Sequence, residues 1–146
     1  MLIGPENRGA DEASRRRMSQ FVMLNPCRRD YPDQIDDLLS KSADDDPLLD
    51  NLLLARAMAI SDPAKRAEAL TALHQEHPKT DGGIRAQYEL GVLRVGLWKD
   101  KQAPEEQRTA NLRQARAILS GFVSAWPDSL FAAPARELLN SLPTTP

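Results

Sequence analysis

Histidine is the scarcest of the side chains that could carry chemistry here: His74 and His77 are the only two in 146 residues. They stand three apart with Glu76 beside them. On a helix that spacing puts two ligands on one face, whereas a metal site needs at least three convergent ones. His77 is expected instead to close a helix, where a positive charge is favourable. Asp44, Asp45, Asp46 and Asp50 gather four carboxylates, but the glycine and the distal glutamate of a calcium loop are missing. Acids just ahead of Pro47 read better as a helix start. The serines and threonines form no nucleophile elbow and have no histidine partner outside the 74–77 pair. Gly82-Gly83 is not followed by the Lys-Ser/Thr of a phosphate loop. No convergent titratable set remains, so the expectation is no enzyme, no cofactor and no metal.

The other reactive or charged groups read similarly. Cys27 is the single cysteine, which excludes an internal disulfide and a cysteine-based zinc site. Leu24-Asn25-Pro26-Cys27 has the outline of a lipidation site, but the preceding apolar stretch is too short and rigid Pro26 stands where a small residue belongs. Arg15-Arg16-Arg17 and Arg28-Arg29 could meet nucleic acid or lipid head groups. Residues 33–50, however, carry seven Asp against Lys41, so a solvated or self-paired segment is expected. The whole chain has 19 basic and 21 acidic residues, giving no global field for a polyanion, and no nucleic-acid partner is expected. No apolar run approaches the ~20 residues of a membrane span. Trp98 and Trp126 are expected at helix ends as core caps, with a partner hot spot as the sharper alternative.

The elements that would position these residues are helices. Aromatics are only 5% of the chain while Ala and Leu abound, a mix suited to helix packing. Residues 1–46 read as mostly irregular, with one helix from Asp11 to Leu24. Periodicity then predicts helices over 47–60, from Pro63 to His77, over 83–99, from about Pro104 to Ala125, and over 130–142. Residues 143–146 form a tail. The helix over 47–60 is apolar nearly all round, and that over 83–99 carries two apolar rows, so both are expected to pack between neighbours. Gly91 and Gly96 cost helix propensity, about 1 kcal/mol each relative to Ala, which close helix approach would offset.

The strongest sequence feature is an internal repeat at an offset of 49 positions, with Pro78 over Pro127. Leu70 then falls on Leu119, Leu73 on Phe122, His77 on Trp126, and Thr80 on Ser129. Past the proline, Ile84 falls on Ala133, Ala86 on Ala135 and Leu90 on Leu139. The shared unit is an amphipathic helix, a bulky residue, Pro, a short polar turn and an Ala-rich helix. Such pairs cannot cover their apolar surface alone, and stacking buries it continuously.

The unit around Phe122, Trp126-Pro127, Ser129, Ala132, Ala135 and Leu138-Leu139 resembles the tetratricopeptide (TPR) repeats of bacterial outer-membrane assembly lipoproteins and of the Tol–Pal coordinator. Leu73, His77-Pro78, Thr80, Ala86, Tyr88 and Leu90-Gly91 form a weaker copy. The spacing of 49 exceeds the ~34 residues usual for such repeats, a lengthening assigned to residues 99–109. The resemblance implies an all-α fold of antiparallel helix pairs stacked as a short TPR-like α-solenoid over 47–142. It also implies a protein or peptide partner and, if the likeness extends to role, a place in bacterial envelope assembly, periplasmic or at the outer membrane. The first helix of each pair, over 47–60, 83–98 and 130–142, is expected to line the binding face. Asn51, Arg85, Gln87, Tyr88, Arg94 and Arg136 are the expected contacts, being polar or amphipathic on otherwise buried helices. The alternative is a structural fragment of a longer array, or a homo-oligomerisation piece, with no groove of its own.

Overall fold

The computed structural model describes residues 5–144, without the side chains of 5–11 and 14. Of the expected tail, residues 145 and 146 lie outside the described residues, as do residues 1–4 of the N-terminal stretch. The described residues are all-α: α1 (Pro5–Met23), α2 (Tyr31–Ser40), α3 (Leu49–Met58), α4 (Pro63–Glu76), α5 (Asp81–Lys99), α6 (Glu105–Ala125) and α7 (Ala132–Ser141). Adjacent helices pack as pairs, and α3 also touches α5. Short links force antiparallel neighbours, and the α5–α6 contacts run accordingly: Arg94 donates to Asn111 and Arg108 to the Trp98 carbonyl.

Local chemistry sets most boundaries. Asp62 caps α4 by accepting from the Ala64 and Lys65 amides at 2.9 and 3.4 Å, with Pro63 in the first turn. Thr80 caps α5 by accepting from the Gly83 amide at 3.2 Å. Helices α4 and α6 end ahead of Pro78 and Pro127, where the residue before proline is driven from the helical region. His77 (φ −128°, ψ 61°) and Trp126 (φ −131°, ψ 58°) therefore share one conformation, and each donates its amide to the residue four back, Leu73 or Phe122. The repeat read at an offset of 49 is thus a repeat in backbone geometry. Its apolar register is shared as well: Leu70, Leu73 and Ala86 are buried, and so are Leu119, Phe122 and Ala135.

Burial falls into three clusters that follow the chain. Ile35, Leu38, Leu48 and Leu52 form the first, with Phe21, Leu24 and Tyr31 against them. Leu54, Ala57, Leu70, Leu73 and Ala86 form the second. Val95, Leu112, Ala115, Leu119, Phe122, Ala135 and Leu142 form the third. Each fully buried Leu or Phe contributes about 1.5–3 kcal/mol relative to exposure.

Several expectations differ from what is observed. The segment expected to be mostly irregular over 1–46 holds two helices. Helix α1 starts at Pro5 rather than Asp11, and α2 was not anticipated at all. Pro32 lies in the first turn of α2, where its missing amide costs nothing, and Ile35, Leu38 and Leu39 supply a stripe at steps of three and four. The first core cluster crosses position 46, joining α2 to α3. The 49-residue spacing comes from long helices, 19 residues in α5 and 21 in α6; the connection at 100–104 is short. Helix α3 starts at Leu49 and α7 at Ala132, later than expected. Asp46 turns the chain first by accepting from the Leu48 amide (2.9 Å), and Ser129 by accepting from the Phe131 amide (3.2 Å). Gly91 does sit at a close approach, since a Cβ there would lie 2.7 Å from Leu119 Cδ2; a Cβ on Gly96 would meet nothing within 4 Å, so that glycine has no packing role.

Candidate functional site

Helices α3 and α5, flanked by the α1–α2 link and the α6–α7 corner, build one face. Along it lie two clefts that share Arg85. The larger, about 690 Å³, is lined by Phe21, the link residues Pro26, Arg28 and Arg29, the start of α2, and Asn51, Leu54 and Met58 of α3. The smaller, about 540 Å³, runs from Asp81 and Ile84 of α5 to the Trp126–Phe131 corner. Leu130, at the lip of the smaller cleft, is 92% exposed, an uncovered apolar side chain at the turn.

Helices α3 and α5, whose spacing sets the width of this face, pack through Leu54, Ala57 and Ala86 and are tied at one end by Asp50. Its carboxylate is 7% exposed, and Oδ2 accepts from the Gly82 amide at 2.7 Å. A side chain on α3 thus satisfies one of the orphan amides at the start of α5. A Cβ on Gly82 would lie 2.6 Å from the Asp50 carbonyl oxygen, and one on Gly83 would collide with the His77 carbonyl. Gly82-Gly83 therefore lets α3 and the α4–α5 corner close onto the α5 N-terminus. His74 Nδ1 lies 3.1 Å from the Gly83 carbonyl, so both histidines belong to this corner. No group of three or more His, Cys, Asp or Glu among the described residues is placed to hold a metal.

The expected contact residues divide. Asn51 and Arg85 line the larger cleft. The exposed Arg85 guanidinium lies 5.2 Å from the Phe131 ring centroid and 3.4 Å from Glu89. Tyr88 is half-buried between Phe122 and Phe131, with ring centroids 5.8 and 5.0 Å away. Burial, then the neighbouring Glu89 charge, raise its pKa above the usual 10, with Arg85 opposing. Gln87 faces α6 near Gly121. Arg136 donates to the Pro127 carbonyl at 3.2 Å and so braces the corner. Arg94 lines a different groove with Thr71 and Gln75 of α4. It is nine residues from Arg85, about 180° around the helix at 100° per residue.

The basic runs are partly self-paired, as charge pattern suggested: Arg17 with Asp46 and Arg28 with Asp30. Sequence reasoning left out Phe21, Arg28, Arg29 and Tyr31 as cleft residues, because the segment before 47 was set outside the helical array. The signal that could have found them is Asp30-Tyr31-Pro32 ahead of the Ile35, Leu38, Leu39 stripe. Comparison with known proteins gives no match: no family profile, no curated protein and no solved structure matches the chain.

Proposed function

We propose that the chain is a non-catalytic protein–protein interaction module of the TPR-like type, holding a peptide or partner helix on the face made by α3, α5 and the α6–α7 corner. The observation that carries this reading is the run of two adjoining clefts along one face, with apolar floors, polar rims and an uncovered Leu130 at the end. Helical-repeat proteins use an extended surface of this kind to bind peptides. A place in bacterial envelope assembly belongs to the proposal on the sequence resemblance alone. It is tested by whether the native chain leaves the cell with the periplasmic fraction on osmotic shock.

The test of the binding reading is selection from a random display library of peptides about 12 residues long, enough to span ~40 Å when extended, with the full chain as bait. Selected peptides should be blocked by Asn51→Trp, which fills the larger cleft, and should be indifferent to Arg94→Ala. Failure to select any peptide counts against the reading. A second reading, an oligomerisation or structural piece, is favoured by one observation: Met18, Val22 and Met23 of α1 are 49%, 72% and 84% exposed. An apparent mass that rises with concentration in light scattering, and falls back in Val22→Glu, would support that alternative.

A further inference from the structure

The larger cleft has a charge character of its own. Arg28, Arg29 and Arg85 line it and no acidic residue does, over a floor that includes Phe21, Tyr31 and Leu54. Arg29 is exposed and makes no hydrogen bond or ion pair among the described residues. Arg28 and Arg85 each have one carboxylate neighbour, Asp30 at 2.9 Å and Glu89 at 3.4 Å. Arg28 holds Asp30 by two bonds, but the two side chains are 62% and 45% exposed, and the contact to Glu89 is long, so either arginine can turn to a better-placed anion. The adjoining cleft has the opposite character, with Asp81 and Asp128 beside Trp126 and Leu130. The three arginines thus form a short basic patch, bounded on one side by those aspartates.

We infer that the larger cleft takes an acidic peptide segment of a partner protein, with carboxylates spaced among Leu- or Phe-type side chains. This rests on the α3/α5 face being the binding surface. The carboxylates meet Arg28, Arg29 and Arg85, where guanidinium groups offer forked donors suited to carboxylate. The apolar side chains meet the floor. A peptide fits better than a nucleic acid because its charge is local. A phosphate backbone running on past Arg85 would meet Asp81 and Asp128. A segment spanning both clefts is acidic over the first, and neutral or basic and apolar over the Trp126–Leu130 corner.

The test uses the same peptide selection with a second readout, the composition and charge dependence of what is selected. Selected peptides should be rich in Asp and Glu next to Leu or Phe. A fluorescent copy of one should lose about tenfold or more in affinity for the Arg29→Glu/Arg85→Glu double variant. The same loss should follow when its acids become Asn and Gln, and binding should weaken with salt. Arg29→Lys/Arg85→Lys should keep most of the affinity. Both arginines are exposed, and an unchanged circular dichroism spectrum confirms the fold of each variant. Neutral or basic peptides that are blocked by Asn51→Trp but unmoved by charge reversal overturn this inference and leave the interaction reading standing. No selected peptide at all overturns both. Displacement of the peptide by a single-stranded oligonucleotide at equal concentration, or self-association abolished by the charge reversal, would assign the cleft to a nucleic acid or a second copy instead.

Discussion

Replacing Asp50 by Ala removes the carboxylate that ties the first turn of α3 to the start of α5. The Asp50 carboxylate accepts from the Gly82 amide at 2.7 Å, and both residues are buried. Losing a helix cap costs about 1 kcal/mol. Stranding the buried Gly82 amide without water adds about 1–3 kcal/mol. Together these come to roughly 3 kcal/mol, a shift of about 10 °C in Tm for a chain of this size. Asp50→Asn keeps an acceptor and loses only the charge beside the helix dipole, so about 1 kcal/mol is expected. Urea and thermal unfolding followed by circular dichroism measure both variants. An Asp50→Ala loss under about 0.5 kcal/mol, the size of an ordinary surface change, would refute the cross-helix cap.

Glycine substitutions in α5 should separate by position. Gly96→Ala should stabilise by about 0.5–1 kcal/mol, since the new methyl meets nothing within 4 Å. Gly91→Ala should cost about 1–3 kcal/mol, because Leu119, which it would crowd, is fully buried. Phe122→Ala should lose about 3–5 kcal/mol as a fully buried ring, and half-buried Trp126→Ala roughly half that; a Trp126 loss as large as that of Phe122 would place Trp126 deeper in the core than it lies. Burial raises the pKa of both Tyr31 and Tyr88 above 10, so the folded chain keeps these phenol protons longer than the unfolded one. Stability should therefore be unaffected below pH ~10 and fall as pH rises through the tyrosine range; phenolate absorbance midpoints at or below 10 would contradict this.

The helical elements after position 47 were legible because their signals are local. Asp62-Pro63 starts α4, and Pro78 and Pro127 stop α4 and α6, each acting through its own backbone geometry. The repeat was legible for the same reason: a Pro stop fixes the preceding residue, and His77 and Trp126 adopt matching angles. Helix α2 was harder to read, since its ten residues hold three Asp and a Pro, and its stripe is complete only against α3. By sequence Asp50 is one of four carboxylates around a helix start, whereas its partner lies 32 residues away. No local rule reports a contact of that range. The face occupied by each polar residue of α5 was also ambiguous. A helix buried on two sides leaves two separate strips for polar groups, which is why Arg85 and Arg94 point into different grooves.

The account's central claim is that a partner peptide lies along α3, α5 and the α6–α7 corner. Amide chemical-shift mapping of the full chain, titrated with a peptide selected from the display library, tests it most directly. The account predicts shifts concentrated at residues 51–59, 84–88 and 126–131, and in the link carrying Arg28 and Arg29, with the surroundings of Arg94 unmoved. Shifts confined to the groove of Thr71, Gln75 and Arg94, or to the first turns of α6, would contradict it.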